Sequence, residues 1–269
     1  MGLNGARGAV ASVLLVGVVS GCGASPSGPS SGPSDLGSLT VEGPTSLAVG
    51  DVAAFRVTQR TGGQTRDVTD TARWTISPPF LTITGGTGTA IGVGSASIKA
   101  DLDGMGSASL NVQIVGRIDG TYTMFIGGGV CKWGNLPPQF RNRTFQTTLV
   151  QRGTGLDLQL ADAAFEGHAP GTAPVIRGRY EGGTDPVVFD LPPAARGWWN
   201  ENEIVWSPVT EVLPDGSRIE IYGTVRATPV ASGLSGTFKG FFYYSASATA
   251  LFRASQDCES DTHQFTLTR

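Results

Sequence analysis

The chain has 269 residues, a formal charge of −3 and only 15 % charged residues, so nothing in its charge balance points to nucleic acid or to electrostatic membrane docking. Its 39 glycines, about twice the usual share, together with frequent serine and threonine, favour short strands and tight turns over helices. No HExxH, EF-hand loop, P-loop or GxGxxG occurs, so no metal, nucleotide or dinucleotide cofactor is expected.

In chain order, Arg7 supplies a positive n-region and Ala9 to Val19 an apolar run too short for a permanent membrane span. Val19-Ser20-Gly21-Cys22 follows, and it resembles the lipobox of bacterial lipoproteins. The resemblance implies that residues 1–21 are a cleaved signal peptide and that Cys22 becomes lipidated, with palmitate among the expected acyl groups. It also implies a cell-envelope address in a disulfide-permissive compartment, the protein being held to a membrane through its N-terminal lipid. Gly23 lacks the aspartate associated with inner-membrane retention, which favours the outer membrane where two membranes exist.

Residues 22–37 form a lipidated Gly/Ser/Pro tether, a flexible coil spanning about 20 Å. Its Gly28-Pro29-Ser30-Ser31-Gly32 matches the GxSxG nucleophile elbow only formally, because the flanking strand and helix that motif needs are missing.

From 38 to 115 the chain breaks into short runs of strand length: Ser38–Val41, Ala53–Thr58, Arg73–Ile76, Leu81–Thr84, Ser95–Ala100 and Ala108–Ile114. Turn signals such as Val49-Gly50-Asp51, Thr61-Gly62-Gly63 and Asp103-Gly104 separate them, so a β-sandwich of about seven strands is expected. Leu47-Ala48-Val49-Gly50-Asp51, Val68-Thr69-Asp70 through Trp74, and Thr89 through Ala100 together resemble the bacterial Ig-like domain of group 2 (BIG2). That resemblance implies an Ig-like sandwich in an exported protein, with Trp74 plugging its core.

From 117 to 269 the expected strands are Gly120–Ile126, Thr144–Gln151, Gly155–Ala161, Val175–Glu181, Pro186–Leu191, Glu203–Leu213, Arg218–Thr228, Leu234–Tyr244, Ala246–Arg253 and His263–Arg269. Joined in sequence order they form an up-and-down meander, and closure into an antiparallel β-barrel hides its edges. With Cys22 lipidated, Cys131 and Cys258 remain as a pair, most simply one disulfide. Cys131 lies five residues beyond the first expected strand and Cys258 five before the last, so antiparallel pairing of those strands would bring both to one barrel end. Gly120-Thr121-Tyr122 faintly resembles the lipocalin Gly-x-Trp opening, which adds a shape analogy.

Chemistry-bearing residues are sparse. His168 falls in a turn, and His263 opens the last expected strand as a polar residue at the barrel mouth. Glu201 and Glu203 flank an aromatic loop, but no set of nucleophile, base and metal is legible, so the protein is expected not to be an enzyme. Trp198 and Trp199 sit in that loop with Trp206 nearby; adjacent side chains of an extended segment diverge, so one tryptophan is expected to be exposed or to cap the barrel, making the three a candidate binding face. Phe241-Phe242-Tyr243-Tyr244 is apolar on both faces, which implies cover by the sandwich or by a partner. The expectation is an all-β, non-enzymatic cell-envelope lipoprotein, an Ig-like spacer presenting a barrel for interaction with a glycan or another envelope protein. The alternatives are a carrier holding a small apolar ligand inside the barrel and a glycan-binding adhesion module.

Overall fold

The computed structural model describes residues 37–169, 172, 174–183, 185–191, 209–246 and 256–269. The leader, Cys22, the tether up to residue 36 and the Trp198–Trp206 loop lie outside the described residues.

The first half is a sandwich of β1 (Ser38–Glu42), β2 (Ser46–Ala48), β3 (Val52–Ala54), β4 (Arg56–Thr61), β5 (Gln64–Asp67), β6 (Arg73–Ser77), β7 (Leu81–Thr84), β8 (Thr87–Ala90), β9 (Gly94–Leu102) and β10 (Gly106–Val115). One layer is the sheet β2-β10-β9-β6, with β2 parallel to β10. The other consists of two small sheets, β1-β4-β5 and β3-β8-β7. Phe55, between β3 and β4, is buried and its N–H donates to the Gly86 carbonyl at 2.7 Å, so the chain passes from one small sheet to the other there. Strict alternation builds the packed layer: Ala96, Ile98 and Ala100 of β9 face inward while Ser97 and Lys99 face out. Trp74 is half-buried and touches both sandwich cores, the one around Phe55 and Ile98 and the one around Val57 and Ala100, as expected of a core plug. The expected strand Ala53–Thr58 is in the structure two, β3 and β4, and β2, β5 and β8 have no counterpart among the expected strands. These strands are three or four residues long, and every residue of β5 is exposed, so no alternation marks it.

The second half comprises β11 (Gly120–Gly127), the single helical turn α1 (Pro138–Arg141), β12 (Arg143–Arg152), β13 (Gly155–Ala161), β14 (Ala164–Phe165), β15 (Val175–Arg179), β16 (Val187–Leu191), β17 (Thr210–Val212), β18 (Arg218–Val230), β19 (Gly233–Ser245) and β20 (Asp257–Thr268). Eight of these strands close an antiparallel barrel in the order β11-β12-β13-β15-β16-β18-β19-β20, and β20 returns to β11 to complete the ring. The short ribbon β14-β17 hangs from β18 beside β16. Closure between the first and last strands is what the meander and the cysteine pair implied.

The barrel interior is apolar and its outward positions are mostly polar, the reverse of a membrane-spanning barrel. Leu156, Leu158 and Leu160 point in while Asp157 and Gln159 alternate with them, and Phe145, Phe189, Phe238, Phe242 and Phe265 fill the interior at no more than 2 % exposure. Space is so scarce that a Cβ on Gly240, or on Gly223 with its φ of +150°, would stand less than 3 Å from the Phe238 ring. Two glycines paired across β18 and β19 thus make room for one phenylalanine.

The sandwich packs on the barrel end that carries the tight turns. Val115, the last residue of β10, belongs to the barrel core; Arg117 donates from Nε to the Val49 carbonyl at 2.8 Å and pairs with Asp51. Gln151 seals this end, accepting from the Ile118 N–H at 2.8 Å and donating to the carbonyls of Gly116 at 2.9 Å and Gly153 at 3.1 Å.

Three expectations need correction. The last strand begins at Asp257 rather than His263, so Cys258 is not five residues outside it but is a buried, inward-facing member of it. His263 is therefore mid-strand and fully buried, not a residue of the barrel mouth. The reason is a β-bulge: Phe238 pairs with His263 but Gly240 with Ser260, so Asp261 and Thr262 oppose Lys239 alone. Alternation changes phase there, and a period-two reading stops short. Finally, the sandwich does not cover the outer side of Phe241–Tyr244, since its contacts lie at the opposite end of β19.

Candidate functional site

The barrel's long connections, 128–142, 162–174, 192–209 and 246–256, all leave from the end away from the sandwich. There the Cys131–Cys258 disulfide links the segment after β11 to β20, with Cα atoms 4.9 Å apart. Residues 132–133 run alongside β20: the Lys132 N–H donates to the Glu259 carbonyl at 2.7 Å, and Trp133 forms a bridge to Glu259. The α1 turn closes over this region through Phe140, whose ring lies 4.3 Å from that of Tyr244, and Arg141 Nη1 donates to Cys131 Sγ at 2.8 Å. Between β12 and the β14-β17 ribbon, Phe165 packs on Phe145 at 5.7 Å, and Arg143 grips Glu211 with two parallel N–H donors. Aromatic rings and a two-pronged ion pair thus plug the barrel end away from the sandwich.

His263 is a fully buried titratable group of this cluster. Its Nδ1 accepts from the Gly129 N–H at 3.1 Å, while Nε2 finds no hydrogen-bond partner among the described residues and lies among Phe238 and Phe242. Burial, reinforced by the positive charge of Arg141, holds its pKa down at about 4, the Cys258 backbone acting weakly in the opposite direction. The imidazole is neutral at pH 7 and structural in its contacts. Ser260 Oγ is engaged with Thr262 rather than with the ring, and among the described residues neither histidine hydrogen-bonds a hydroxyl, thiol or carboxylate. His168 is a half-exposed turn residue whose N–H donates to the Phe165 carbonyl at 3.2 Å. Among the described residues no group of three His, Cys, Asp or Glu side chains could hold a metal ion.

Of the residues singled out from the sequence, Cys131 and Cys258 are brought together in a disulfide. Trp198, Trp199, Trp206, Glu201, Glu203 and the lipidation site Cys22 lie outside the described residues. The aromatic run on β19 splits as alternation requires: Phe242 enters the core, whereas Phe241 and Tyr243 face outward and are half-buried.

That outward face carries a concavity the sequence reading did not find. On β18 and β19, Tyr222 and Phe241 are directly paired and their rings stack at 4.9 Å with planes 15° apart. Around them Asp190, Thr224, Lys239 and Glu259 rim a groove of about 310 Å³ floored by the backbone at Gly223 and Gly240. Thr224 Oγ1 donates to Asp190 Oδ1 at 3.2 Å, and Lys239 pairs with Asp261 at 3.4 Å across the bulge. The signal that could have revealed it is the hairpin turn: Val230 pairs with Gly233, so two residues, Ala231 and Ser232, make the loop and set the register that joins Tyr222 to Phe241. Ala-Ser lacks the Asn-Gly or Asp-Gly signature of such turns, and the register stayed hidden. Chemically the groove offers apolar rings beside both hydrogen-bond donors and acceptors, an arrangement for binding. Comparison of the sequence with protein-family models and with curated proteins returned no match.

Proposed function

We propose that this protein is a lipid-anchored component of a bacterial cell envelope, a non-enzymatic module whose sandwich spaces a barrel that binds through its exterior. The observation that supports exterior binding is the filled interior. Five phenylalanines and the surrounding aliphatic side chains are buried in one core, with paired glycines needed merely to seat Phe238. A carrier needs interior volume, so this packing disfavours the alternative in which a small apolar ligand sits inside the barrel. The lipobox-like Val19–Cys22, the Gly/Ser/Pro tether and the disulfide support the exported, anchored part of the reading.

Fractionation tests the anchor. Cys22→Ser is expected to release the protein into the soluble fraction or leave it unprocessed, because the thiol is the acylation site. Partition of the variant into the membrane at wild-type level would overturn lipid anchoring. Native mass spectrometry of the purified protein tests the binding mode: the barrel is expected without a co-purified apolar molecule, and a stoichiometric one would restore the carrier.

A further inference from the structure

We propose that the Cys131–Cys258 bridge is exchange-active: a dithiol reductant opens it by attack at Cys131, and Arg141 takes up the charge on the departing sulfurs. This chemistry is stoichiometric and separate from exterior binding. Arg141 differs from the other arginines of its barrel end, since Arg143 and Arg218 each face a glutamate, Glu211 and Glu166. Among the described residues Arg141 forms no ion pair and its buried Nε has no hydrogen-bond partner. Its Nη1 points at sulfur, 2.8 Å from Cys131 Sγ and 3.7 Å from Cys258 Sγ. A disulfide sulfur is a neutral, weak acceptor, so a part-buried guanidinium gains little from it. A thiolate is the anion that complements this cation, and the charge-assisted bond forms only once the bridge opens. The same charge joins burial in keeping His263 neutral, so it acts across the cluster.

Access sets the order of events. Cys258 is fully buried and Cys131 only partly, so the incoming thiolate meets Cys131 Sγ. A new sulfur–sulfur bond forms there as the old one breaks, and the electron pair leaves on Cys258 Sγ. The second thiolate of the reductant then attacks the reductant's own sulfur in the mixed disulfide, and Cys131 Sγ departs with the second pair. The reductant becomes a disulfide and two electrons pass to the protein. The two protons of the dithiol go to the cysteines or, where a thiolate persists beside Arg141, to water. What opens is a clasp. β11 pairs with β20 only over 264–268, and residues 132–136 cover the edge of 257–259 in its place. Without the bridge, that cover is held by the buried Leu136, the Lys132–Asp261 pair and three backbone hydrogen bonds. These run from the Lys132 N–H to the Glu259 carbonyl at 2.7 Å, from Glu259 to Trp133 at 3.3 Å and from Leu136 to Asp257 at 3.2 Å.

The test equilibrates the full chain, in detergent micelles, with mixtures of reduced and oxidised dithiothreitol and counts free thiols by alkylation. A hydrogen bond to a charged group is worth about a power of ten, so Arg141→Gln should shift the balance about tenfold toward the disulfide, about 30 mV for this two-electron couple. Reduction should also slow several-fold, and Arg141→Lys, which keeps a cation, should stay closer to wild type. A merely structural arginine gives the opposite sign: its loss loosens 128–136, and reduction becomes faster and more complete. Should Arg141→Gln fail to fold, the wild type decides. At pH 7.5 the reduced, folded chain should show more thiolate ultraviolet absorbance than the same chain unfolded in urea. On reduction, hydrogen exchange should rise in 132–136 and 257–259 and change little elsewhere in the barrel. An Arg141→Gln variant with no shift or the opposite one, no excess thiolate, or unchanged exchange in those segments would each overturn the proposal. Unfolding of the barrel on reduction would do so too, because an exchange-active bridge leaves the fold standing when it opens.

Discussion

His263 shows how one buried side chain makes the whole fold sensitive to pH. Its folded pKa is about 4 against an ordinary value of 6.5, chiefly because burial penalises the charged ring. Between those values the unfolded chain binds more protons than the folded one, so stability falls as pH falls through this window. At 1.36 kcal/mol per pKa unit the ceiling is about 3 kcal/mol lost between pH 7 and pH 4. Urea denaturation of wild type and His263→Leu at pH 7 and pH 4.5 checks this: the wild type should lose more stability than the variant. Equal losses would mean that the ring is not kept neutral by the fold. Gln151 works without titrating. Its replacement by leucine strands the Ile118 N–H and the Gly116 carbonyl, at about 1–3 kcal/mol for each buried group left unpaired. The expected loss in urea stability is therefore about 2–6 kcal/mol, with the sandwich unaffected.

At the scale of elements, β19 and β20 explain both what the sequence showed and what it concealed. Alternation is clean from His263 to Leu267 and again from Cys258 to Ser260, but the two stretches are out of phase by one residue across the bulge. A two-residue period identifies each half and cannot join them. Strands with sharp alternation, such as Gly155–Ala161, were legible to the residue, whereas Ala164–Phe165 and Thr87–Ala90 are too short to show a period. The paired glycines of β18 and β19 make a sharper claim. A methyl group on Gly240 would meet the Tyr222 carbonyl and the Phe238 ring, neither of which can step aside. Gly240→Ala should cost about 1–3 kcal/mol in denaturant melts, the usual penalty of an overpacked core. Wild-type stability in that variant would show that the interior is looser than its packing indicates.

For the molecule as a whole, the disulfide matters more than any single contact. It closes a loop of 127 residues that contains most of the barrel, and chain entropy sets a ceiling of about 4–5 kcal/mol on its contribution. The sandwich cores are built only from residues between Leu39 and Ile114, so they share no side chain with the bridge. Calorimetry of Cys131→Ala/Cys258→Ala should show the barrel transition lowered by roughly 10 °C, with the sandwich transition moved little. Equal displacement of both would mean that the junction at Val115 and Arg117 couples the two halves into one cooperative unit. Stoichiometric thiol labelling of the native, unreduced wild type at Cys131 and Cys258 would show that the bridge does not form.

Local periodicity alone determined that the chain is all-β, that Leu156, Leu158 and Leu160 share one face, and that a meander of this length must close. The pair Cys131 and Cys258 pointed to where it closes. These properties are written over two to ten neighbouring residues, the range in which side-chain alternation and turn chemistry act. What only the tertiary structure decided is longer in reach: that Tyr222 meets Phe241, that Phe165 and Arg143–Glu211 plug the far end, and that His263 is buried. Each depends on cross-strand register between residues tens of positions apart. A two-residue hairpin loop and one bulge set that register around the groove, and a change of one residue in either would turn a different set of side chains toward the outside.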